Sequence, residues 1–137
     1  MIVIDASSLV KYLLKEDNWL GVEEWLVKDD VYTLDHAVKE ILNALWKATA
    51  LLKVLPVEVA LEKRRLLLEM VNNNVVTLKS QDEVIDDAFL MALKHGVTVY
   101  DALYIAYADK IKASLLTSDE RQAEAAEKIG VDVIFIE

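Results

Sequence analysis

Thr98 to Ala108 reads TVYDALYIAYA. It carries one charged residue, Asp101, and every position from Ala102 to Ala108 is apolar or tyrosine. A helix with no hydrophilic face belongs in a protein interior, so this stretch predicts a buried helix with an acid in its first turn. A shielded carboxylate is costly unless it is paired, hydrogen-bonded or bound to a metal. No lysine or arginine lies within a helical turn of Asp101 to neutralise it. The competing reading is that Asp101 only complements the helix dipole. The stretch by itself does not choose between the two.

The flanking chain alternates between strand and helix patterns. Ser80 to His95 predicts a helix stopped by Gly96. Ser114 to Thr117 predicts a strand, Asp119 to Ile129 a helix closed by Gly130, and Val131 to Ile136 another strand. At the other end of the chain, Ile2-Val3-Ile4 is a β-branched run ending at Asp5, the pattern of a buried strand. A helix with Leu9, Tyr12 and Leu13 on one face follows, then a break at Glu16 to Asn18. A second amphipathic helix carries Trp19, Val22, Trp25 and Leu26, and Asp29-Asp30 turns into a strand from Val31 to Leu34. Asp35 opens a long helix to about Leu52, with an apolar stripe of Ala37, Val38, Ile41, Ala44, Leu45, Ala48 and Leu52. Pro56 starts the next helix, Asn72-Asn73-Asn74 is a turn, and Val75 to Leu78 is a strand. This alternation predicts an α/β protein, a parallel sheet with helices on both faces. No linker or repeat divides the chain, so residues 1–137 are expected to form one domain.

Composition narrows the function. Without cysteine there is no disulfide and no thiolate metal site. No apolar run reaches membrane-spanning length and no signal peptide is present, which predicts a cytoplasmic protein with no membrane partner. The formal net charge is −9, from 24 acidic and 15 basic residues. That argues against a DNA-binding module with a basic footprint. It leaves room for a nucleic-acid enzyme, because acids around a divalent cation attract phosphate once the ion is bound. There is no Gly-rich phosphate loop, and Ser7 interrupts the Asp-x-Asp pattern of dehalogenase-type phosphatases.

Two aspartates follow apolar strands directly, Asp5 and Asp119. Ligands of open α/β sheets bind outside the carboxyl ends of strands, at the topological switch point, which is where both belong. Each also has a structural reading. Asp5 can cap the first helix. Thr117-Ser118-Asp119-Glu120 fits a Thr-x-x-Glu capping box, and Asp119 can itself be a cap. Glu40 falls on the edge of the apolar stripe of the long helix, where Ala37 and Ala44 leave space around it; a snorkelling glutamate is the plain alternative. His36, four residues before Glu40, could face the site, but solvent exposure is the expectation; His95 is read as structural. Arg121 could touch a phosphate and Lys63-Arg64-Arg65 could help hold RNA, but solvated surface is the first reading of both.

Taken together, IVIDAS at the N-terminus, EILNAL mid-chain, TVYDALYIAYA and LLTSDER near the C-terminus resemble the PIN domain, a family of small metal-dependent ribonucleases, over essentially the whole chain. The likeness is greatest to the single-domain VapC-type toxins. The resemblance implies a three-layer fold whose five-stranded parallel sheet has the order 3-2-1-4-5. It implies that Asp5, Glu40, Asp101 and Asp119 are the catalytic, metal-binding acids. Two carboxylates about 4 Å apart repel by roughly 4 kcal/mol at an effective dielectric of about 20, so four together need cations. An all-oxygen set suits Mg²⁺ or Mn²⁺, and the chemistry expected is metal-assisted hydrolysis of single-stranded RNA. Ser7 and Thr117 are expected to hydrogen-bond the acids.

Two other functions compete: a phosphatase-like metal hydrolase of small phosphate esters, and a catalytically silent PIN-like protein that only binds a partner. The resemblance also implies a VapB-type antitoxin lying across the N-terminal helices, and a homodimer. Trp46 lies about 120° around its helix from Glu40 and is the expected interface residue. Trp19 and Trp25 sit near Tyr12, where simple packing of Trp25 on Tyr12 is the alternative to an interface.

Overall fold

The β-branched run Ile2-Val3-Ile4 has all three side chains buried, and as β1 (Ile2–Ile4) it is the centre of the sheet. The computed structural model describes residues 1–137. After β1 come α1 (Ala6–Leu14), α2 (Trp19–Lys28), β2 (Val31–Leu34) and α3 (His36–Trp46). Then follow α4 (Val57–Asn72), β3 (Thr77–Lys79), α5 (Ile85–His95), α6 (Val99–Ile111), β4 (Ser114–Thr117), α7 (Glu120–Ile129) and β5 (Val133–Phe135). The five strands pair in parallel in the order β3-β2-β1-β4-β5. This is the expected order, with helices on both faces of the sheet. The chain leaves the centre in one direction through β2 and β3 and in the other through β4 and β5. The switch point therefore lies between β1 and β4, where Ile4 pairs with Leu116.

The all-apolar stretch behaves as its composition requires. Every residue from Ala102 to Ala108 is buried, and α6 packs against α5 on one side and β1, β2 and β4 on another. Thr98 caps it, its hydroxyl accepting the Asp101 amide at 3.3 Å. Opposite, α1 joins α2, α3 and α4 over β4. No helix is long and apolar enough to cross a membrane.

Element ends differ from the sequence reading where helix closures consume residues. The long helix runs regularly to Trp46 and then widens into a π turn over Lys47–Leu51, with the Leu52 amide on the Lys47 carbonyl. The positive φ of Lys53 ends it. Val75 and Val76, read as strand, instead give their amides to the Met70 carbonyl, so β3 begins at Thr77. Ser80 caps a 3-10 turn, Gln81–Glu83, and α5 proper starts only at Ile85. Gly130 takes φ 101° at the end of α7, and Val131 closes that helix onto Ala126 before β5 begins at Val133.

Candidate active site

Asp5 leaves β1 in an extended conformation, its amide still on the ladder through the Leu116 carbonyl at 3.1 Å. Its side chain is buried, 4% exposed, yet every oxygen is served. Oδ1 accepts from the Ser7 hydroxyl at 2.6 Å and the Ser8 amide at 3.1 Å, which makes Asp5 the cap of α1. Oδ2 accepts from the hydroxyl of Thr117, the last residue of β4. Ser7 and Thr117 thus both bond Asp5, as expected. Burial raises its carboxyl to about 6, against the pull of those three hydrogen bonds, and the negative charge of Asp119 pushes in the same direction.

The Thr117 hydroxyl also accepts the Asp119 amide at 3.1 Å. The Thr-x-x-Glu capping box is therefore not formed: Thr117 accepts the Asp119 amide and not that of Glu120, and α7 starts at Glu120, two residues later than such a box needs. Asp119 itself is the cap, with Oδ1 accepting from the amides of Arg121 at 2.9 Å and Gln122 at 3.4 Å. These are the only hydrogen bonds of its carboxylate, so the capping reading of Asp119 is realised. Its charge nonetheless reaches both Asp5 and Asp101.

Asp101, in the first turn of α6, has its side chain 18% exposed. Desolvation raises its carboxyl, Arg121 counters, and Asp119 and Glu40 add to the rise. The sequence neighbourhood offers Asp101 no cation, but the fold does: Arg121 Nε of α7 comes to 3.7 Å of its Oδ2. Gln122 is 1% exposed and ties the same two helices, its Nε2 donating to the Asp101 carbonyl at 3.2 Å.

Glu40 reaches this group from α3. Its Oε1 accepts from the Tyr104 hydroxyl at 2.9 Å. Burial, then the Glu40 charge, push the phenol well above its usual range, so it stays a donor. His36, expected at the surface, is buried at 7% exposure because α3 turns it inward against the Tyr104 ring, with centroids 4.6 Å apart. Its Nε2 lies 3.0 Å from Glu40 Oε1 but off the line of a hydrogen bond, and neither ring nitrogen has a hydrogen-bond partner. A groove of about 350 Å³ opens beside Glu40, lined also by Ser7, Val10, Lys11, Ala44 and Ser118. A larger depression of about 470 Å³ lies between α2 and the end of β5, lined by residues other than the four acids.

Asp5 and Asp119 are thus fixed at the ends of adjacent strands. Asp101 feels the charges of Asp119 and Glu40, and Tyr104 lies in the field of both Glu40 and Asp5. The donors are all anionic oxygens held partly out of water, which suits a hard divalent cation. No three His, Asp or Glu side chains stand close enough here to share one ion. The fit is therefore one of donor chemistry and mutual charge. Sequence reasoning missed Gln122 and Tyr104 as neighbours of the acids, and offered Arg121 to a phosphate without placing it beside Asp101. Only Tyr104 carried a signal, as a polar tip three residues after Asp101 on a buried helix.

The chain is similar to several known proteins. Ribonuclease VapC3 of Pyrobaculum aerophilum is 39% identical over 134 residues, covering 90% of this chain and 92% of that protein. Exonuclease VapC9 of the same organism is 29% identical over 131 residues, covering 96% and 89%. The crystal structure of Mycobacterium tuberculosis VapC20, a sarcin-ricin loop cleaving toxin, superposes with a TM-score of 0.68 at 16% identity, covering 91% of this chain and 95% of that one. The PIN domain model matches residues 2–128. With that match, the strand order and the acids at the β1–β4 switch point, this chain belongs to the PIN domain family.

Proposed function

We propose that this protein is an Mg²⁺- or Mn²⁺-dependent endoribonuclease that hydrolyses phosphodiester bonds of single-stranded RNA, and that it is the toxin of a toxin–antitoxin pair. The observation that carries this reading is the mutual charge of Asp5, Asp101, Asp119 and Glu40 around the switch point, where burial and repulsion already raise Asp5 and Asp101. Keeping such acids ionised at neutral pH is costly without a cation, and perturbed acids of this kind mark functional sites.

In this reading the four carboxylates would close around one or two ions, which would supply Lewis acidity and a water of lowered pKa. Ser7, Ser8 and Thr117 orient Asp5 by donating to both its oxygens. The cap bonds of Asp119 hold that carboxylate through one oxygen and leave Oδ2 free of protein partners. Arg121, mostly exposed beside Asp101, is placed to meet a phosphate. The groove along Glu40, lined by both Lys11 and Glu16, is the path this reading gives the RNA strand. Relatives named ribonucleases support a nuclease. The same kinship supports a VapB-type antitoxin as partner, and a homodimer is part of the same proposal.

The test is cleavage of end-labelled single-stranded RNA by the purified protein with Mg²⁺ or Mn²⁺ and with excess EDTA. Internal cuts that need the ion support the reading. Equal cleavage in EDTA would rule out the mechanism. Stepwise loss from one end would make it an exonuclease, and faster turnover of p-nitrophenyl phosphate than of RNA would favour the phosphatase-like alternative.

A further inference from the structure

Of the four acids, Glu40 has the least to hold it. Asp5 and Asp119 are pinned by helix caps and Asp101 by a buried helix start. The Glu40 side chain is longer, 38% exposed, and rises from the boundary of α3. What grips it comes from inside the fold. Tyr104 is 2% exposed and points its hydroxyl out of the core at Glu40 Oε1, 2.9 Å away. Tyr104 sits three residues after Asp101, so both project from neighbouring turns of one helix. His36 sits four residues before Glu40 and lays its ring on the Tyr104 ring at an interplanar angle of 42°. The His36 nitrogens make no hydrogen bonds, although Nε2 stands 3.0 Å from the same Glu40 oxygen, and the ring fills the space beside the phenol.

We propose that Tyr104 is a positioning residue: its hydroxyl, held in place by the His36 ring, fixes the Glu40 carboxylate of α3 at a set place relative to Asp101 of α6. The inference rests on reading Glu40 as one of the metal-binding acids. A buried phenol needs some partner, and packing alone is the alternative role. The two roles differ in what they move. A packing residue governs stability, whereas a positioning residue governs how well Glu40 meets a cation, and acts only while Glu40 is there.

The experiment titrates Mn²⁺ by calorimetry into the wild type, Tyr104→Phe, Glu40→Gln and the double variant, with Tm and RNA cleavage kinetics on each. Tyr104→Phe keeps the packed ring and should hold the wild-type Tm within about 4 °C. It should weaken Mn²⁺ binding about tenfold and lower kcat with KM for RNA unchanged. In the Glu40→Gln background the same change should add nothing to the loss of Mn²⁺ affinity. Wild-type Mn²⁺ affinity in Tyr104→Phe, or losses that add in full, would overturn the positioning role alone. A wild-type protein that binds no Mn²⁺ would instead overturn the metal reading of the site, and this role with it.

Discussion

Thr117 joins Asp5 to Asp119: its hydroxyl donates to Asp5 Oδ2 and accepts the Asp119 amide. The hydroxyl is fully buried, so removing it strands a carboxylate oxygen and an amide together. Thr117→Val should lower stability by about 1–3 kcal/mol in urea denaturation. It should also raise the Asp5 carboxyl further, since this bond is one of those holding it down. Thr117→Ser should recover most of the loss. A valine variant as stable as the wild type would mean that the bond is not made in solution.

Asp5 makes stability depend on pH. Its folded value of about 6 lies above the ordinary 3.8. A raised acid favours folding fully below the unfolded value and loses that contribution as pH rises through the folded one. The difference corresponds to about 3 kcal/mol. In EDTA, the protein should lose stability between about pH 4 and pH 7, with Asp101 acting in the same direction. Asp5→Asn, which cannot ionise, should flatten that profile and be the more stable protein at neutral pH. Parallel Tm–pH curves for the two proteins would refute the assignment.

Asp101→Asn conserves shape and relieves repulsion. Fold and Tm should be kept or improved, while Mn²⁺ binding and RNA cleavage fall by at least about 100-fold. Circular dichroism, calorimetry and single-turnover cleavage test this together. Full activity in the asparagine variant would remove Asp101 from the site.

Arg121 is 75% exposed, and its pairing with Asp101 at 3.7 Å contributes little to stability. Arg121→Gln should shift stability by less than about 0.5 kcal/mol. If the guanidinium meets a phosphate, KM for RNA should rise about threefold to tenfold and the salt dependence of binding should become shallower. An unchanged KM and salt slope would leave Arg121 as a surface partner of Asp101 only.

The homodimer is tested by analytical ultracentrifugation at micromolar concentration. Trp46 is 54% exposed, beside a cleft of about 220 Å³ between α3 and α4 lined by Leu42, Leu45, Val57 and Leu61. Trp46→Ala should shift a dimer towards monomer. A second apolar face carries Phe89, Leu90 and Leu93 of α5 with Tyr100 of α6, all more than half exposed. A dimer that survives Trp46→Ala but dissociates on Leu93→Glu would move the contact there, and a wild-type monomer would defeat the expectation altogether. Near Tyr12 the pairing differs from the sequence reading: Trp19, not Trp25, faces its ring at 6.1 Å, and Trp25 lies under Lys28.

The sequence by itself determined the buried helix Ala102–Ala108, the strands ending at Asp5 and before Asp119, and the helices that separate them. Each of these rests on local periodicity and on stop signals such as Gly96 and Gly130. The strand order came from the motifs by kinship, since periodicity says which face is buried and not against what. Tertiary structure alone decided the site's internal wiring. Tyr104 meets Glu40 across 64 residues of chain, and Thr117 meets Asp5 across 112. His36 was misread because a polar residue at a helix start reads as exposed until the Tyr104 ring supplies the surface that covers it. The capping box read at Thr117 is replaced because the hydroxyl accepts the Asp119 amide locally while its proton goes to Asp5. Only the pairing of β1 with β4 brings Asp5 within reach of that hydroxyl.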